Sequence, residues 1–322
     1  MTSHVKAVFQ ALFVVFLWAT SWVFVKIGLQ DIPPVTFAGL RYFLAFLCLL
    51  AVLLLNKSYP ELRELSQRDW LRFSILGILL YAGTQGAIFV SLAFLPAVTV
   101  NLLWSFSSVI IAILGMVLLF EKPRPLQWAG ILLAVAGAVI YFYPVDIPRN
   151  QSIGYIVAVL GIFANAASSI LGRDINRLGR HSPLLVSVIS MGVGSVILLA
   201  AGLFFESKPV LNLQSWSIIL WLALVNTAFA FTLWNHTLRT LTAMESGIIN
   251  GTMLVWIAIF AVLFLEETIT LKELVGLAAT GLGTLVVQLR NAASKKLQVE
   301  KNDLADEQVT LVLKDQERLS AP

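Results

Sequence analysis

Runs of about 20 consecutive apolar residues recur along the chain from residue 7 to residue 290, and each is long enough to cross a hydrocarbon core of about 30 Å as a helix. A soluble domain has no use for so many of them. The runs are continuously apolar instead of alternating over about ten residues, so helices rather than barrel strands are expected. Charged residues make up only 12% of the chain, about half the share of an ordinary soluble domain, which leaves too few for a polar shell. The spacing predicts an all-α membrane protein with ten spans, near residues 7–28, 34–55, 70–93, 97–119, 125–143, 153–172, 184–205, 216–238, 243–265 and 271–290. Ten spans place both ends of the chain on one side.

Basic residues decide which side. Between spans, one set of segments carries fifteen lysines and arginines, among them Lys57, Arg63, Arg68, Arg124, Arg177 and Arg239, whereas the other set carries only Arg149, Lys208 and Lys272. That bias puts both termini in the cytoplasm. It also accounts for the formal net charge of +4 as topology rather than as a nucleic-acid patch. The first run is about 22 residues long, too long for a signal-peptide core, and reads as a retained anchor. Residues 291–322 turn abruptly to mixed charge and read as a solvated cytoplasmic tail.

Sliding the chain against itself by 146 residues brings Trp70 onto Trp216, Leu95 and Ala97 onto Leu241 and Ala243, and Glu121 onto Glu267. Gly130 and Gly137 then fall on Gly276 and Gly283, and no gap is needed across three spans. An offset of 147 sets Phe16, Ser21 and Lys26 against Phe163, Ser168 and Arg173. The chain therefore reads as two five-span halves, 1–143 and 153–290. A unit with an odd number of spans ends on the far side, so the second copy enters the membrane upside down. Inverted repeats of this kind let a carrier open alternately to the two sides from two similar packings.

The first-span run Leu17-Trp18-Ala19-Thr20-Ser21-Trp22 with Lys26-Ile27-Gly28 carries a family resemblance, as does Pro34 to Phe37 followed by Leu40-Arg41-Tyr42. So do the turns Leu119-Phe120-Glu121-Lys122 and Leu265-Glu266-Glu267-Thr268, each followed by its pair of glycines. With these residues the chain resembles the EamA-like ten-span carriers of the drug/metabolite transporter superfamily, over residues 7 to 290. The resemblance implies a central cavity lined mainly by spans 1, 3, 4, 6, 8 and 9, with spans 5 and 10 peripheral. The family often has Gly before the turn Glu; here Phe120 and Glu266 stand there, so a tight glycine turn is not expected.

Polar side chains are costly within a span and usually face the bundle interior or a water-filled path. Near the midplane lie Trp18, Ser21, Trp22, Gln85, Phe89, Asn165, Ser168, Asn226 and Trp256, with Asn101, Trp104 and Asn250 somewhat off centre. Aromatic rings and amides suit a small amphipathic organic solute, whereas an inorganic ion would favour rings of carboxylates or carbonyls. The competing reading is that the amides and hydroxyls merely bond neighbouring helices and the tryptophans fill space.

Lys26 and Arg41 lie toward one face of the membrane, where they either snorkel and pair with Asp31 or Glu267, or form a positive vestibule for a substrate carboxylate. Glu121 and Glu267 sit at opposite faces and suit capping or hinge roles at the turns into spans 5 and 10, and His236, near the cytoplasmic end of span 8, either lines a gate or senses protons, or packs at the interface.

No P-loop and no cluster of acidic, His or Cys residues appears, and Cys48 stands alone in an apolar run. The sequence thus predicts no cofactor, no metal and no ATP site. A secondary transporter in the cell membrane, moving a small organic solute, is the reading that uses the repeat. A membrane-embedded enzyme acting on a lipid is the alternative. Oligomeric state has no signal in the sequence.

Overall fold

A computed structural model describes residues 3–55, 65–118, 125–144, 148–177, 181–209, 211–237, 240–241 and 243–287. Glu121 and the 291–322 tail lie outside the described residues. Among those described, every regular element is helical. Seven helices are long and apolar enough to cross a membrane, and Ala97–Ile111 and Trp128–Phe142 are shorter apolar helices. Large apolar side chains cover the outside: Phe204 and Phe205 are 85% and 89% exposed, a surface that water would not tolerate and lipid does.

In chain order α1 is Ser3–Gly28 and α2 is Pro34–Leu55. The third helix, α3, runs as Gln67–Gly77, a π-helical stretch Ile78–Gln85, and Gly86–Phe94. Next, α4 consists of Ala97–Ser105 and Ser107–Leu118, and α5 is Pro125–Phe142. In the second half α6 is Ser152–Arg177 and α7 is Pro183–Phe205. The next helix, α8, runs as Leu213–Ala223, a π-helical stretch Leu224–Phe229, and Ala230–Thr237. Finally α9 consists of Ala243–Gly251 and Met253–Leu265, and α10 covers 271–287.

The helix starts follow local chemistry. Pro34 and Pro183 stand at first helical positions, where the missing N–H has no partner to lose. Ser66 and Asp69 form a capping box, and Asn212 caps α8 through Ser215 N at 2.8 Å. The turn before α10 departs from expectation. Glu266 adopts the left-handed conformation, with φ 55° and ψ 25°, so the tight turn is kept although no glycine occupies it. A side chain in that region is strained by about 1–2 kcal/mol. Glu266→Gly is therefore expected to stabilise the protein by about 0.5–1 kcal/mol after the extra unfolded-state entropy of glycine is counted. A melting curve should show a rise of roughly 2 °C; a fall would refute the strain.

The packing order is not the chain order. Helix α1 lies against α8 and α9, α6 lies against α3 and α4, and α2 makes its most extensive contact with α7. Helices α5 and α10 cross at their glycines: a Cβ on Gly276 would stand 2.7 Å from Gly137 O, and one on Gly283 2.6 Å from Gly130 O. Thr280 Oγ1 also donates to Ala134 O at 3.3 Å across this crossing. In lipid, such backbone proximity supplies the dispersion contacts and polar links that hold helices together.

The irregular backbone recurs at the spacing of the repeat. The π-helical stretches begin at Ile78 and Leu224, 146 residues apart, and the helix breaks at Phe106 and Thr252 have the same separation. At the breaks Phe106 N donates to Leu103 O and Thr252 N to Ile249 O, both at 3.1 Å, a tightened turn in place of the α-helical bond. Extra turns and breaks of this kind re-aim the side chains that follow.

Candidate functional site

A cavity of about 320 Å³ opens inside the helix bundle, at the lower end of the range for small-molecule sites. Its walls come from α1, α2, α3, α4, α6, α8, α9 and α10. Two of these contributions differ from what the resemblance implied: Arg41 and Tyr42 enter from α2, and Gly281 and Thr284 from α10. Of the residues singled out above, Trp18, Ser21, Trp22, Arg41, Gln85, Phe89, Asn101, Trp104, Asn165 and Asn250 border this one space.

Several are positioned by a neighbouring element. Tyr42 Oη donates to Gln85 Oε1 at 2.7 Å, which ties α2 to the end of the first π-helical stretch. Phe89 stands edge-on to Phe37, with ring centres 5.1 Å apart. Trp18 Nε1 donates to the Asn226 carbonyl at 3.2 Å, while its ring packs on Phe231 and Trp234. Asn101 Nδ2 reaches Leu254 O at 3.4 Å, joining α4 to α9. Trp104 Nε1 is buried without a hydrogen-bond partner among the described residues. Its six-membered ring lies against α6, where a Cβ on Gly161 would stand 2.7 Å from it.

The walls are paired under the repeat. Trp104 and Asn250, Ser105 and Gly251, Ser107 and Met253, and Ser108 and Leu254 are each 146 residues apart, and all eight border the cavity. They flank the two helix breaks, so both breaks stand beside the same space.

Other singled-out residues sit elsewhere. Asn226 is wholly buried between α1 and α8, where Nδ2 donates to Leu17 O and lies 3.4 Å from Thr20 Oγ1. Ser168 Oγ bonds back to Asn165 O at 2.9 Å, and Trp256 packs against Phe16 and Phe260. His236 is exposed in the last turn of α8, away from the cavity. For these four the helix-bonding, space-filling and interfacial readings describe the geometry.

Lys26 and Glu267 are both committed to the turn between α3 and α4. Lys26 Nζ donates to Leu92 O and Leu95 O, each at 2.6 Å, at the carbonyl end of α3. Glu267 accepts from Ala97 N at 2.6 Å and Val98 N at 3.1 Å, at the amide end of α4. Both charges oppose the helix dipoles they meet. Glu267 therefore caps α4, not the helix that follows its own turn. Glu206 does the same for α2, accepting from Val35 N at 2.9 Å and Thr36 N at 2.7 Å. Sequence reasoning passed over Glu206; an acid just after a long apolar run, with no basic residue nearby but Lys208, was the available signal.

A model of the EamA-like transporter family matches residues 5–143 and again residues 152–289. The chain is 26% identical to an uncharacterized transporter of Archaeoglobus fulgidus, over 78% of this chain and 86% of that one. It is also 26% identical to the uncharacterized inner membrane transporter YedA of Escherichia coli, over 73% of this chain and 75% of the other. A third relative, from Salmonella typhimurium, is named a probable amino-acid metabolite efflux pump and is 23% identical over 83% of this chain and 90% of its own. A solved crystal structure superimposes with a TM-score of 0.64 at 18% identity, covering 88% of this chain and 98% of that chain; this likeness speaks to the fold alone.

Proposed function

The chain belongs to the EamA-like transporter family and is a membrane transporter of small solutes; from that premise we propose that it works as a secondary carrier, binding one small organic solute in the central cavity and exposing it alternately to the two sides. The observation that carries this reading is the pairing of the cavity walls: positions 146 residues apart border one space of about 320 Å³.

The same pairing supports an arrangement of ten spans as two inverted five-span halves. An operation that exchanges the halves turns the contact of α1 with α8 into that of α6 with α3, and α1 with α9 into α6 with α4. It turns Gly130 against Gly283 into Gly276 against Gly137. A carrier built this way obtains its second state by swapping the conformations of its halves. The excess of basic residues in one set of connecting segments favours cytoplasmic termini in a cell membrane. Export driven by a proton gradient or by exchange is the direction we favour, in keeping with the relative named a probable amino-acid metabolite efflux pump.

The test is counterflow into vesicles containing the purified protein, with a labelled panel of amino acids, organic acids, amides, amines and sugars. Saturable, protein-dependent accumulation of at least one solute is expected. Repeating the assay with an imposed pH gradient separates proton coupling, which accelerates net movement, from obligatory exchange, which does not. No movement of any solute under either condition would sink the reading.

A further inference from the structure

We infer that the solute carries a carboxylate and that Arg41 is the group that receives it; this deepens the reading of the cavity as the transport site and rests on it. Arg41 is the one charged residue among the described walls of the cavity, which include no aspartate or glutamate. It is only 6% exposed, and no carboxylate among the described residues lies within ion-pairing distance of it. A cation held inside the membrane without a counter-charge is costly. A bound anion supplies what the protein does not.

The guanidinium is also held ready. Nε donates to Thr227 Oγ1 at 3.2 Å, and that hydroxyl in turn donates to Leu222 O at 2.9 Å across the second π-helical stretch. The hydroxyl proton is thereby spent on the backbone, so the oxygen is left to accept from Nε. The guanidinium carbon lies 5.2 Å from the centre of the Tyr42 ring and 5.9 Å from that of Phe89, and such ring contacts favour the planar cation. With Nε engaged and two rings beside the cation, the two terminal nitrogens remain as a fork, the geometry that a carboxylate fits bidentately. Trp18, Trp22 and Trp104 then offer apolar area to the rest of the solute.

Counterflow with acid and amide pairs tests this: leucine with leucinamide, phenylacetate with phenylacetamide, and nicotinate with nicotinamide, each corrected for leak into protein-free vesicles. In the wild type the acid of any transported pair should move at least about tenfold faster than its amide. Arg41→Gln should lower the acid rate by about tenfold or more and bring the ratio near one, with Arg41→Lys between the two. If Arg41→Gln is not recovered as folded protein, Thr227→Val keeps the charge and releases Nε, and the ratio should fall by about threefold. An amide that moves as fast as its acid in the wild type, or a ratio unchanged in the variants, overturns the assignment of Arg41 while transport stands. Failure of the wild type to move any solute of the wider panel overturns transport itself.

Discussion

Gly283→Leu should destabilise the folded protein more than any other single change considered in this bundle. At the α5–α10 crossing a Cβ on Gly283 would already stand 2.6 Å from Gly130 O, well inside van der Waals contact, and leucine adds three further carbons. The obstacle is backbone, which cannot rotate aside as a side chain can. Gly276 and Gly283 are seven residues apart and therefore share a helix face, so separating the helices at one glycine loosens both contacts. Ordinary overpacking costs about 1–3 kcal/mol; with backbone on both sides the cost should be about 3–4 kcal/mol. A melting temperature lower by roughly 10 °C, or loss of the monodisperse peak, is expected. Leu282→Ala changes the neighbouring residue, which is 58% exposed and faces outward, and should shift melting by no more than about 2 °C. Equal behaviour of the two variants would refute the close crossing.

The largest effect on transport is expected at Trp104. Its indole borders the cavity, rests against Gly161 of α6, and carries a buried N–H with no partner among the described residues. Ring area and a donor are thus available to a solute at once, the combination that makes tryptophan a frequent hot spot, worth about 2 kcal/mol or more. Trp104→Ala should therefore reduce the rate at low solute concentration roughly 30-fold, while a half-buried side chain next to a cavity costs the fold little. Trp104→Phe keeps the ring and drops the N–H, so its loss should be smaller. Counterflow gives the rates, and melting curves distinguish a weakened site from a weakened fold. Unchanged transport in Trp104→Ala would remove the residue from the site.

What could be read in the sequence is what repeats over many residues. The start of α2 at Pro34 and its end at Leu55 follow from a 22-residue apolar run with a proline at its head, because span length and helix-start chemistry are local. Trp104 and Asn250 could be singled out because the repeat sets polar or aromatic residues at matching places in apolar surroundings. Contacts set by tertiary packing were not legible. Nothing in the pattern says that Glu267 reaches the amides of Ala97 and Val98, 170 and 169 positions away, or that Asn226 turns from the cavity into the α1–α8 seam. The π-helical stretches were also invisible, since one extra residue in a turn leaves a continuously apolar run looking the same. For the same reason the entry of Arg41 into the cavity from α2 needed coordinates: hydropathy places a residue at a depth and says nothing of which way it faces.

The packing of α1 against α8 and α9 has a consequence for how the protein is made. Ribosomes add about 5–20 residues per second, so α8, which begins at Leu213, emerges roughly 10–40 seconds after α1 is complete at Gly28. Through that interval Trp18 lacks Phe231 and Trp234, the rings on which it packs. The face of the first helix around Trp18 must therefore wait in the lipid, or with a provisional partner at the insertion machinery, until the second half arrives to receive it. A ribosome stalled between α5 and α8 should hold an α1 that still crosslinks to that machinery around Trp18, although Lys26 can already meet the end of α3.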